Sequence, residues 1–311
     1  MRFVFVFVLC MSVAGVAPAQ VGDGFSFLRL EPSARASALA GSFAAVYDGD
    51  VNAVFYNPAL PDERVHRRLS ASYLNHLGDL NAGFLAASFN AGRLGTASAG
   101  LRFLDYGSFE RADENGQRDG TTFGASDVAL TVGLARAYSE RIRYGVNASA
   151  IFSSVDQYGA SALALDAGVV YLIPSQRAAF SLSVHNAGAV FSSLGETSDQ
   201  LPLDVRVGVS KRLEYLPLLV SITGYDLDRA GEEGALEHLI FGAELQFSQA
   251  FNLRLGYDPR RHEALKTDSR LDLAGLGLGF GLNVSRIQFD YAYNSWSALG
   301  GLHQLTVATG I

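Results

Sequence analysis

The chain of 311 residues has one cysteine, Cys10, and it lies inside an N-terminal apolar run. Past that run no disulfide, thiol nucleophile or cysteine metal site can form. Charge is sparse too: 18% of residues are charged and the formal net charge is −7, which argues against nucleic acid as a partner. After the first twenty residues no apolar stretch reaches the length of a membrane-spanning helix. The histidines His66, His76, His185, His238, His262 and His303 are not at metal-ligand spacing from one another. No serine stands in a G-x-S-x-G setting. Gly277-Leu278-Gly279-Phe280-Gly281 has dinucleotide-like glycine spacing but lies inside a strand pattern with no helix after it. These gaps leave no catalytic, cofactor or metal residue to name.

Glycine (33), phenylalanine (20) and tyrosine (13) are plentiful. The N-terminus reads as an export signal. Arg2 precedes the apolar run Phe3–Leu9, and Ala17-Pro18-Ala19 is a small-x-small cleavage pattern. We expect a signal peptide over 1–19, a head segment over 20–66 and an all-β body over 67–311.

The body reads as about fourteen strands. Phe251, Leu253, Leu255 and Tyr257 alternate with Asn252, Arg254, Gly256 and Asp258; Ile287, Phe289, Tyr291 and Tyr293 alternate with Gln288, Asp290, Ala292 and Asn294. Runs at 94–106, 125–138, 142–155, 159–173 and 270–283 are longer than ordinary globular strands and suit tilted membrane strands. Short turns near 91–93, 139–141, 174–177, 213–215, 248–249 and 284–285 alternate with longer polar connections near 107–124, 190–201, 228–236 and 259–270. Tyrosines collect near strand ends, as at membrane–water boundaries. The pattern predicts an antiparallel outer-membrane β-barrel of about fourteen strands. Lipid is then its surroundings, and the barrel assembly machinery its route there. With apolar faces toward lipid, Arg206, Glu244, Arg254 and Asp290 should line the lumen and pair there as structural ties. A phase break in Leu271–Asn283 predicts a bulge near Ala274-Gly275, with Gly275, Gly277, Gly279 and Gly281 facing inward to make room for something inside.

A barrel that wide cannot be filled by its own side chains, and the head segment is the material available for a plug. Ser33 after Pro32 can cap a helix running to Ala40 and ended by Gly41. Asp50 can cap a second turn over Val51–Tyr56, ended by Asn57-Pro58. Asp48, Asp50 and Asn52 form a fragment of a calcium loop without its later glycine and glutamate; we read them as caps and plug hydrogen bonds. Arg35, Asp48 and Asp50 are the plug charges expected to meet lumen residues.

Pro32-Ser33-Ala34-Arg35, Ala38-Leu39-Ala40-Gly41 and Asp48 to Leu60, DGDVNAVFYNPAL, resemble the N-terminal signature of the PorV/PorQ family, and Leu69–Leu80 resembles the first hairpin of its PorQ-like members. The resemblance is specific over about residues 25–80. It implies a fourteen-stranded outer-membrane barrel with an N-terminal hatch, within the wider FadL-like superfamily. It further implies a non-enzymatic accessory of type IX protein secretion, whose partners would be other secretion components and cargo. The alternative is a FadL-like transporter of hydrophobic small molecules. Two positions depart from the pattern: Ile311 ends the chain where an aromatic is common, and Ala40 stands where the family more often has glycine.

Overall fold

A computed structural model describes residues 24–75, 80–112, 117–195, 199–229, 236–267, 272–297 and 300–310. The expected signal peptide and Ile311 lie outside the described residues. Fourteen antiparallel strands follow one another around a ring: β1 (Arg68–Asn75), β2 (Asn81–Asn90), β3 (Thr96–Ala112), β4 (Arg118–Ala137), β5 (Ile142–Val155), β6 (Tyr158–Ile173), β7 (Ala178–Ser192), β8 (Asp204–Arg212), β9 (Leu218–Gly224), β10 (Leu239–Gln246), β11 (Phe251–Tyr257), β12 (Leu276–Val284), β13 (Ile287–Ser295) and β14 (Gly301–Gly310). The last strand pairs with the first, from Arg68↔Gly310 to Asn75↔His303, so no sheet edge is left open there.

Alternation sets the two faces of the wall. Leu85, Leu130, Phe152 and Leu305 stand exposed on the outside, while Ser70, Ser98, Thr131 and Ser221 are buried inside. Inward hydroxyls pair across strands, as in Ser88–Ser98 and Thr131–Ser149, both at 2.8 Å. Exposed tyrosines such as Tyr73, Tyr138, Tyr158, Tyr171 and Tyr215 lie at strand ends or in turns. Among the described residues no helix is long and apolar enough to cross a membrane; the strands are what span.

Three local expectations change. The polar stretch 107–124 is largely strand where it is described: β3 runs on to Ala112, β4 starts at Arg118, and Phe109 stacks on Phe123 at 5.4 Å. Polarity reports contact with water rather than loss of pairing, so a hairpin rising above the membrane reads as a loop. The connection at 259–270 contains a helix, α2 (Pro259–Leu265), started by Asp258, which accepts from the Arg261 N–H at 3.1 Å, with Pro259 in the first turn. The phase break before β12 is a turn and not a bulge. Gly275 sits at φ 74°, and the strand starts only at Leu276. Gly275 faces Asp258 and His262 of the α2 connection, whereas Gly277 and Gly279 face the head segment inside the barrel. Leu271 is outside the described residues.

Residues 25–66 occupy the lumen. One apolar cluster gathers Leu39, Phe43, Val54, Phe55, Tyr56 and Leu60 of the head against Ala86, Val170, Ala179, Leu219 and Ala308 of the wall. Small wall residues such as Ala86, Ala179 and Ala308 let large plug side chains pack closely against the wall.

Candidate functional site

The head segment is mostly irregular, so its backbone polar groups need partners from outside. The wall supplies them. Asn147 donates to Val54 O (2.9 Å), Ser210 to Ala45 O (2.7 Å), Ser221 to Ser42 O (2.8 Å) and Gln304 to Glu31 O (2.8 Å). Arg143 donates to Ala59 O and Pro61 O, and Arg102 to Leu28 O. The polar lining of the lumen is thus the hydrogen-bond complement of the plug.

Helix α1 (Ala34–Ala38) is short. Ser33 caps it by accepting from the Ala36 N–H, and Thr306 of the wall accepts from the Ala34 N–H at 2.8 Å. It ends through Ala40 at φ 56° and Gly41 at φ 96°. Ala40 therefore holds a left-handed conformation that glycine would adopt at less cost. A Cβ at Gly41 would also press on the Glu31 carboxylate. Asp50 caps a 3₁₀ turn over Val51–Phe55, accepting from the Asn52 N–H at 2.8 Å, and Asn52 in turn accepts from Ser70 of the wall at 2.6 Å. Asn57 donates to Ala44 O (3.2 Å) and accepts from the Ala59 N–H (2.9 Å). Pro58 lies against Gly145 and Gly168, where any side chain would collide with the plug.

Arg35 is the centre of a buried ion cluster. It donates to Asp48 (2.6 and 3.0 Å), to Asp50 (3.2 Å) and to both oxygens of Glu244 (2.8 and 2.9 Å). Arg254 then donates to Glu244 at 2.7 Å and to Asp290 at 2.6 Å. The Arg254 and Asp290 side chains are 1% and 2% exposed. Of the expected lumen charges, Glu244, Arg254 and Asp290 meet here. Arg206 does not: it pairs with Asp204 at 2.5 Å and lines a separate cavity of about 200 Å³ with Arg29, Glu31 and Arg260.

That second cavity holds another plug-to-wall tie. Arg29 donates to Asp226 (2.6 and 2.8 Å), which also accepts from Arg260 (2.8 Å). Asp204, Asp226 and Asp228 are close enough to hold a metal ion. Guanidinium groups already neutralise the first two, so the triple is read as ion pairing. Glu31 is the unsettled member. One of its oxygens is buried without a hydrogen-bond partner. Burial pushes its pKa up, against the pull of Arg206 and Arg261. Asp62, at the plug exit, moves the other way: burial opposes its charge, but hydrogen bonds from Arg64 and Tyr47 outweigh burial and hold it below the usual range.

Toward the long-loop end the lumen turns apolar. Leu74, Phe84, Leu104, Ile151 and Leu302 point inward and pack on Phe25, Phe27 and Leu28 from the start of the plug.

No protein-family model and no curated protein matches the sequence. Solved structures do match. The Ralstonia pickettii toluene transporter TbuX aligns with TM-score 0.56 at 13% identity, covering 89% of this chain and 96% of that one. The Pseudomonas putida toluene transporter TodX gives 0.55 at 12%, over 93% and 98%. A Pseudomonas aeruginosa FadL homologue gives 0.51 at 11%, over 89% and 98%. The fold is that of the FadL-like outer-membrane barrels. The finer likeness to PorV/PorQ proteins finds no match of its own.

Several contacts of this plug carry no mark in the sequence. The Arg29–Asp226 tie joins positions 197 residues apart, and nothing local announces it. Gly256 lets the backbone of Leu39 and Ala40 lie directly on the wall. Its signal was an inward glycine in a strand, the same signal that placed Gly277 and Gly279. Tyr56, buried with its hydroxyl 3.2 Å from the Ser33 N–H, sits inside the quoted motif but reads there as an ordinary aromatic.

Proposed function

We propose that this chain is a non-enzymatic outer-membrane channel of the FadL-like kind, passing small hydrophobic molecules, with residues 25–66 as its gate. The supporting observation is the apolar inward-facing pocket at the long-loop end. Elsewhere the lumen wall is mainly small or polar, yet Leu74, Phe84, Leu104, Ile151 and Leu302 gather in one cluster, and Phe25, Phe27 and Leu28 pack into it. A hydrophobic ligand entering from outside can compete for that surface with three plug side chains. Each gives up about 1.5–3 kcal/mol of burial, an amount a ligand of similar size returns. The test is uptake of toluene by a host lacking its own hydrophobic-compound channels, with and without this protein. Protein-dependent uptake should rise further in Phe27→Ser, which weakens the plug's hold on the pocket. Uptake equal to that of the empty host refutes the reading.

A second reading, an accessory of protein secretion, is favoured by the plug motif over about residues 25–80 and by the projecting β3–β4 hairpin. Above the Asn81↔Asp105 and Ala125↔Val155 pairs, this hairpin has no described strand beside it, which leaves its edges available to another protein. Export of cargo bearing the secretion system's C-terminal β-domain, measured after deletion of the gene, separates the two: loss of export with unchanged toluene uptake supports the accessory.

A further inference from the structure

The chain is acidic, but one end of the barrel is not. At the short-turn end, which faces the periplasm by the usual loop asymmetry, two depressions of about 350 and 550 Å³ flank Tyr47 of the plug. Tyr47 and Arg64 line both, so the two depressions adjoin as one shallow groove with this stacked pair on its floor. Its lining carries Arg64, Arg93, Arg143, Arg177 and Arg212 against three carboxylates, Asp48, Asp62 and Glu63. Two of those carboxylates are already engaged, Asp48 by Arg35 and Asp62 by Arg64, both at 2.6 Å. Arg93 and Arg177 are exposed and have no ion pair among the described residues; Arg136, also near, shares the outward face of β4 with Val132 and Leu134. A net positive groove in a chain of net charge −7 is a local arrangement, not a by-product of composition.

We propose that this groove docks an acidic polypeptide segment of a periplasmic protein. Size separates this occupant from a small anion. From β3 to β8 there are five strand steps around the ring, about 24 Å at the usual strand spacing. An extended segment of roughly seven residues spans that distance, and a single phosphate does not. Position separates it from lipid headgroups. Plug residues line both depressions, so the groove opens toward the barrel axis and the turns stand between it and the membrane. The floor also suits a peptide: Arg64 stacks over the Tyr47 ring at 4.3 Å and Arg143 lies 5.5 Å from it, which fixes two guanidinium groups beside a flat apolar surface.

The test uses the full-length protein in nanodiscs of zwitterionic lipid and a fluorescein-labelled ten-residue oligoglutamate. Binding should be saturable, weaken with added salt, and fall about tenfold in Arg93→Gln/Arg177→Gln, whose side chains hold no part of the fold. The control Arg111→Gln/Arg118→Gln, at the opposite end, should bind like wild type. Equal binding by the double variant and wild type overturns the proposal. So does displacement by inorganic phosphate at the same concentration as by unlabelled oligoglutamate, which would make the groove a small-anion site. Binding that requires phosphatidylglycerol in the disc overturns it in favour of a headgroup surface. Heat-modifiable gel migration of every variant confirms that the barrel is intact.

Discussion

Arg35→Met removes the one cation that joins three plug and wall carboxylates. Asp48 would keep only Arg212, 3.7 Å away, Asp50 only its neutral hydrogen bonds from Asn52, and Glu244 only Arg254. Breaking a buried ion pair by deleting one partner costs about 3–5 kcal/mol, because the other charge stays buried without compensation. Asp48 is 25% exposed and recovers some hydration, so the low end, about 3 kcal/mol, is the better figure here. That is roughly a hundredfold change in the ratio of seated to released plug. The barrel itself should survive, since its strand ladder does not involve Arg35. The assay is single-channel conductance in a planar bilayer, paired with proteolysis of the head segment. Wild type should be closed and protected. Arg35→Met should open often and be cut within the head, while its barrel still shows heat-modifiable migration. Adding Asp48→Asn and Glu244→Gln removes two of the three stranded charges and should restore part of the protection. A closed, protease-resistant Arg35→Met would show that the cluster does not hold the plug.

Gly256→Val places a side chain against the Leu39–Ala40 backbone, which has no flexible end to yield; conductance should rise, whereas Gly83→Ala, with open space around it, should be silent. Glu31→Gln should change the pH dependence of plug protection. Burial raises the folded-state pKa of Glu31, so its ionised form burdens the seated plug above that pKa, and the burden lifts as pH falls through it. Wild-type protection should therefore improve relative to Glu31→Gln on acidification, and parallel proteolysis profiles from pH 4 to 8 would contradict this. Ser33→Ala deletes the cap of α1 and should weaken plug seating by about 1 kcal/mol, read as a shorter protease half-life of the head.

The wall was legible in the sequence because its rule is local. Side chains alternate with period two, and a face turned to lipid must be apolar at every second residue, so strand number, facing and the inward placement of Glu244, Arg254 and Asp290 follow from a few neighbours. Ser33 and Asp50 were legible for the same reason: a cap acts on residues two or three positions away. What the sequence could not show is which inward groups meet. Arg35 finds Glu244 209 residues away, Arg29 finds Asp226, and Arg206 pairs with Asp204 apart from the other three expected lumen charges. Those partnerships depend on how far the plug is rotated and raised inside a ring of fourteen strands, and no local periodicity encodes that. Polarity likewise misled at 107–124, where water wets a paired hairpin as readily as a loop. The sequence by itself determined that there is a barrel and that something fills it. The tertiary structure decided where the filling is bolted, because a bolt is a coincidence of two distant surfaces and exists only once the ring has closed.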